Sequence, residues 1–168
     1  MKEKLKDLWA KIKPNILPYA VAIAIPLTVG TISALLTKDS MGVYGELNSP
    51  PLAPPGWLFP IVWTVLFVLM GVSSAMIYLH LQRNPQDAKR GLIFYAASLA
   101  VNFSWSIVFF NLQAAFLALI VLALLIYLII MTVFNYRKVW PIAAFLQLPY
   151  LIWTLFAFYL NAGIWLLN

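Results

Sequence analysis

Five long apolar stretches, separated by short polar or proline-rich breaks, organise the sequence. A bilayer core takes about 20 apolar residues per helix. Tyr19–Leu36, Trp57–Leu79, Leu92–Phe110, Ala114–Tyr136 and Val139–Leu167 all suit that length, and none contains Asp, Glu, Lys, Arg or His. The pattern predicts an all-α membrane protein, a bundle of five transmembrane helices. Pro26 predicts a kink in the first span, and Pro141 and Pro149 interrupt the fifth. Asn111-Leu112-Gln113 leaves room only for a tight turn, so the third and fourth spans are expected as antiparallel neighbours. Gly30 and Ala34, Gly71 and Ala75, and Ala96 and Ala100 are pairs of small residues four apart. Such pairs allow close helix approach, within one chain or across a homodimer.

The loops carry the charge. Lys2, Lys4, Lys6, Lys11 and Lys13 precede the first span, and five spans put Arg83, Lys89, Arg90, Arg137 and Lys138 on the same side. Only Lys38 falls on the other, so ten of the eleven basic residues share one face. The positive-inside rule then places the N-terminus in the cytoplasm and the C-terminus outside. This distribution explains the net charge of +6 better than a nucleic-acid groove, and no nucleic-acid partner is expected. No small-residue cleavage site follows the first apolar run, which therefore reads as a retained helix. Compact size and the lack of targeting signals favour a bacterial plasma membrane. Residues 1–18 form a basic tail ahead of a transmembrane domain, residues 19–168. In the tail, Leu5, Leu8, Trp9 and Ile12 share a helical face among lysines. That suits either an amphipathic helix on an anionic membrane surface or a frayed basic tail.

Composition agrees with lipid as solvent. Of 168 residues, 64% are hydrophobic and 10% charged, against about a quarter charged in soluble domains. Without cysteine there is neither a disulfide nor a thiolate metal site. An ionisable residue inside a membrane is a functional candidate by default, and these spans hold none. That removes the titrating carboxylate of an ion-coupled pump and the acid–base pair of a hydrolase. His80, the lone histidine, sits at a span end and suits an interfacial position better than metal ligation, so no metal or cofactor is expected.

Aromatic and amide groups are what remain. Trp9, Trp57, Trp140 and Trp165 suit interfacial anchors, whereas Trp63, Trp105 and Trp153 fall inside spans. By spacing, Trp63, Phe67, Met70 and Ser74 share a face. So do Ser98, Asn102, Trp105 and Phe109 on the third span, and Pro149, Trp153 and Leu160 on the fifth. Three such faces could pack as plain helix contacts or enclose an apolar pocket with a few polar groups.

Three motifs carry a family likeness. The first loop and second span read Tyr44-Gly45-Glu46, then Pro50-Pro51, then Pro54-Pro55-Gly56-Trp57, Pro60-Ile61-Val62-Trp63 and Met70-Gly71. The third span holds Asn102-Phe103-Ser104-Trp105 and Phe109-Phe110; the fifth holds Pro149-Tyr150-Leu151-Ile152-Trp153, Phe156-Ala157 and Leu160-Asn161. In this order, over residues 19–168, the chain resembles the TspO/translocator-protein family (the peripheral benzodiazepine receptors and tryptophan-rich sensory proteins).

The resemblance implies a receptor or sensor that binds tetrapyrroles such as protoporphyrin IX, and benzodiazepine-type ligands, beneath a lid formed by the first loop. It implies ligand contacts from Tyr44, Trp63, Asn102, Trp105, Pro149, Trp153 and Ala157. It also implies light-dependent porphyrin breakdown at Trp63 and Trp153, a chemistry that needs no titrating base. Two departures stand out. Leu52 occupies a lid position where the family often has an aromatic, and the C-terminal stretch from Leu160 to Asn168 lacks the tyrosine and basic residue of the mammalian-type sterol motif. Cholesterol binding is therefore not expected. A facilitative transporter of porphyrins or other lipophiles, and a membrane scaffold, are the competing function classes.

Overall fold

The computed structural model describes the backbone of residues 2–40 and 42–168, with side chains at 16–40, 42 and 44–168. The amphipathic face expected at Leu5, Leu8, Trp9 and Ile12 lies outside the described side chains. The elements are α1 (Lys2–Thr37), a short α2 (Val43–Glu46), α3 (Leu58–Leu79), α4 (Pro85–Ser106), α5 (Ala115–Val139) and α6 (Pro141–Leu167). A π-helical turn, Ile107–Asn111, continues α4. Among the described residues there is no strand. Five helical segments are long and apolar enough to cross a membrane, beginning with Ile16–Thr37, so the chain is a five-span integral membrane protein.

Helix ends differ from the apolar limits for local reasons. The Asn84 side chain accepts a hydrogen bond from the Asp87 N–H and Pro85 occupies the first helical turn, a favoured start. Helix α4 therefore begins ahead of Leu92. Val139 closes α5 rather than opening the last span, because Trp140 turns extended and Pro141 starts α6.

Contacts between helix ends define two poles. Asn111 Nδ2 donates to the Leu36 carbonyl at 3.0 Å and the Asn48 N–H to Asn168 Oδ1 at 3.0 Å. These join the end of α1, the loop, the π turn and the end of α6 in a lid pole. At the basic pole His80 stacks on Trp140 with ring centroids 4.1 Å apart, and Lys138 Nζ meets Asp87 Oδ1 at 3.3 Å.

Helices α4 and α5 pack side by side, as the short turn requires. α5 packs on α6, α6 on α3, and α3 on α1, which touches α4 only lightly. In lipid, such association depends on close packing and interhelical hydrogen bonds. Gly71 of α3 lies directly on the Ile23 backbone of α1, and Gly30 of α1 abuts the Phe67 ring. By contrast, Ala96 and Ala100 are exposed. Ser73 Oγ donates to the Ala143 carbonyl at 2.7 Å and Gln147 Nε2 to Ser73 Oγ at 3.1 Å, tying α3 to α6. Helix α1 is the peripheral one: 17% of its membrane window is buried, against 44% for α3.

Candidate functional site

Proline geometry aims the first wall. The Leu58 and Phe59 N–H groups donate back to the Pro55 and Gly56 carbonyls at 3.0 and 3.3 Å. That tight turn starts α3 so that Phe59, Trp63 and Phe67, each four apart, face inward. The second wall is α4 and its π turn. The Leu112 N–H reaches back five residues to the Ile107 carbonyl at 3.0 Å, and single π turns inside helices occur often at functional sites. The widened turn lets consecutive rings, Phe109 and Phe110, both face inward, edge to face at 5.0 Å.

These walls leave an inner cavity of about 200 Å³ between α1, α3 and α4. Trp63, Phe67, Trp105 and Phe110 supply its aromatic surface, and Asn102, 5% exposed, its buried amide. The hydroxyls of Thr31, Thr37 and Thr64 donate to carbonyls of their own helices at 2.7 to 2.9 Å, which leaves the cavity predominantly apolar. A neck of about 20 Å³ follows, lined by Tyr44, Phe59, Trp105 and Ala157 among others. Beneath the lid an outer chamber of about 290 Å³ touches Tyr44, Phe110, Gln113 and Asn168. Burial raises the Tyr44 phenol above its ordinary pKa, and its neutral hydroxyl is buried without a hydrogen-bond partner.

Five of the seven residues expected at the pocket border these spaces. Trp63 and Asn102 line the inner cavity, Trp105 the cavity and neck, Ala157 the neck, and Tyr44 the neck and outer chamber. Trp153 lies behind Phe59, their centroids 5.8 Å apart, with its Nε1 buried and unpaired. Pro149 is exposed on α6. The face shared by Pro149, Trp153 and Leu160 is therefore not the buried face of α6. Only Leu160 is buried, because the inward face of α6 follows Gln147, Tyr150, Thr154, Ala157, Asn161 and Ile164.

Three contributors stand outside the expected set. Phe59 is four residues before Trp63, a spacing that marks it as a co-facing ring. Asn161 accepts from Trp105 Nε1 at 3.3 Å and donates to the Ala115 carbonyl at 2.8 Å, fixing α4, α5 and α6 together. The lid is clasped by α6: Asn168 Nδ2 donates to the Asn48 carbonyl at 3.0 Å and Tyr159 OH to the Pro51 carbonyl at 2.8 Å. Leu52, at the departure from the family pattern, points away from the cavities at 84% exposure.

The sequence pattern of the TspO/MBR family matches residues 22–166, which hold every wall residue named above except Asn168. The chain belongs to the TspO/MBR family. The Tryptophan-rich protein TspO of Chlorobaculum tepidum is 36% identical over 92% of this chain and 98% of its own length. A Tryptophan-rich sensory protein of Cereibacter sphaeroides is 36% identical over 86% of this chain and 85% of its own. The bovine Translocator protein is 33% identical over 88% and 90%. Within this TspO/MBR chain the Pro-Pro-Gly turn opens α3, Asn102 and Trp105 precede the π turn, and Trp153 stands at the margin of the buried α6 face.

Proposed function

We propose that this protein is a membrane receptor or sensor for flat lipophilic ligands of the tetrapyrrole class, with benzodiazepine-type compounds as smaller occupants. The inner cavity carries the reading: indole and phenyl rings surround a single buried amide, at membrane depth and without a charged group in its wall. Such a site offers stacking and dispersion to a planar ring, and one hydrogen-bonding side chain to orient it. The names sensory protein and translocator protein, borne by relatives, suit a pocket of this kind. On the charge distribution the lid pole faces outward and the basic pole the cytoplasm of a bacterium.

On this reading Trp63, in the cavity wall, and Trp153, behind Phe59, are the indoles that donate electrons to an excited porphyrin, which passes them to dioxygen. Tryptophan fluorescence with protoporphyrin IX, titrated in the dark on detergent-purified protein, tests binding. Saturable quenching is expected, weakened about tenfold by Asn102→Ala together with Trp63→Phe, as befits loss of a stacking ring and a polar contact. Quenching that never saturates, or an unchanged double variant, removes the receptor reading. Under illumination, equal porphyrin loss by wild type, Trp63→Phe and Trp153→Phe removes the photochemical part alone.

A further inference from the structure

We propose that Phe59 is the specificity-determining residue of this site. It is a movable partition that leaves the inner cavity to compact ligands while closed and uncovers Trp153 for a macrocycle when it swings aside. The inference rests on the receptor reading above and names which residue selects ligand size.

Phe59 stands between two residues expected at the pocket yet separated in this structure. Its ring is edge-on to Tyr44 at 5.3 Å and to Trp153 at 5.8 Å. It borders both the inner cavity and the neck. Trp105 and Phe110 do the same, but among the described residues neither ring pairs with Trp153, and Trp105 is held. Trp105 is hydrogen-bonded to Asn161 and stacked on Phe109 at 5.5 Å, and Phe110 packs edge-on to Phe109 and to Trp105, the latter at 6.1 Å. Phe59 lies half-buried in the first turn of α3, and a phenyl ring has no polar group to anchor it. A change of rotamer there breaks the edge contacts to Tyr44 and Trp153 and no side-chain hydrogen bond.

Trp153 gives that movement a chemical consequence. Its Nε1 is buried without an acceptor, a state that costs free energy in apolar surroundings. Indole N–H is purely a donor, so the group that satisfies it must bring an oxygen or nitrogen lone pair. The cavity of about 200 Å³ and the chamber of about 290 Å³ are each smaller than the roughly 300–1,000 Å³ of ordinary ligand pockets. A macrocycle therefore has to span more than one space, and turning Phe59 joins the inner cavity to the Trp153 ring. The ligand class is a broad planar ring with an acceptor at its edge, such as a carboxylate-bearing tetrapyrrole.

The test uses the full chain in lipid nanodiscs, in the dark, with protoporphyrin IX and a 5-phenyl-1,4-benzodiazepine as large and compact probes. Phe59→Ala should tighten protoporphyrin binding about tenfold, since closing contacts no longer have to be broken, and weaken the compact probe, which loses one wall of its cavity. Phe59→Trp should weaken the porphyrin selectively. In the Phe59→Ala, Trp153→Phe double variant the gain should shrink, because the uncovered donor is gone. Phe59→Leu, a smaller change, and thermal melts of every variant separate selectivity from misfolding. Parallel shifts for both probes, or a gain that survives in full without Trp153, overturn the partition while leaving the receptor reading intact. Absence of saturable binding of either probe by wild type and all variants overturns both. A porphyrin site that appears only in Phe59→Ala sustains the partition and removes the receptor role of the wild type.

Discussion

A methyl group added to Gly91 and one added to Gly45 would meet opposite surroundings. Near the basic pole, the new carbon on Gly91 would sit 2.6 Å from Tyr136 Cδ1 and 3.2 Å from Asn135 Cβ, both on α5. In the lid, the carbon on Gly45 would meet nothing within 4 Å. Tyr136 is fully buried, and α4 meets its ring through that glycine. At the lid pole α1, α3, the end of α4 and α6 leave three spaces, and the end is closed by hydrogen bonds together with Pro50 packed on Gly163. One pole is rigid because it is full. The other is organised around space, which a receptor for bulky ligands requires.

The largest effect expected from this contrast is at Gly91. Gly91→Val forces two branches into the Tyr136 ring, and overpacking of a filled core costs about 1–3 kcal/mol. Gly45→Ala should change stability by less than about 0.5 kcal/mol. Thermal or denaturant unfolding in detergent compares the two. Equal losses would mean that the lid pole is packed as tightly as the basic one and that its cavities are not persistent.

Much of this contrast was hidden from the sequence by the solvent. The five spans are legible because lipid demands uninterrupted apolar runs, and Ile16–Thr37 or Leu58–Leu79 cannot be mistaken for anything else. Which side of a span faces inward is harder, since lipid and core both accept leucine. On α6 the misleading guides were the motif residues Pro149 and Trp153. The reliable guides were Gln147, Thr154 and Asn161, seven apart and all buried, because polar groups in a membrane must find partners inside the bundle. Read from those three, Pro149 falls outside. The widening at Ile107–Asn111 leaves no trace in composition, so the double inward turn of Phe109 and Phe110 was not legible at all. Phe59 was legible by spacing from Trp63, but its screening of Trp153 is a tertiary fact.

A middle-sized effect belongs to the clasp on the lid. Asn168→Ala removes its side-chain bonds to Asn48, and Tyr159→Phe removes one to Pro51. Exposed neutral hydrogen bonds contribute about 0.5–1.5 kcal/mol each, so the double variant should release protoporphyrin IX roughly tenfold faster by stopped-flow fluorescence. The unfolding midpoint should stay where it is, because neither side chain supports the filled pole. A lowered midpoint with an unchanged release rate would show that the clasp holds the bundle and not the lid.

The smallest expected effect is the sharpest test of independence between the poles. Leu52 has φ 68°, in the left-handed region, within the turn where the Ala53 N–H donates to the Pro50 carbonyl at 3.2 Å. A leucine there stores about 1–2 kcal/mol of backbone strain. Glycine would relieve it but would give back about 0.5–1 kcal/mol in chain entropy, leaving a net gain of only about 0.5–1 kcal/mol. Asparagine visits the left-handed region more readily than leucine without glycine's loss. Leu52→Asn should therefore firm the lid by about 0.5 kcal/mol, read as slower hydrogen exchange at residues 47–53. Its side chain is exposed and touches no wall of the cavities, so the unfolding midpoint should not move. If the midpoint rises with lid protection, the lid and the filled pole unfold as one unit, and the division between a packed pole and a clasped one does not survive.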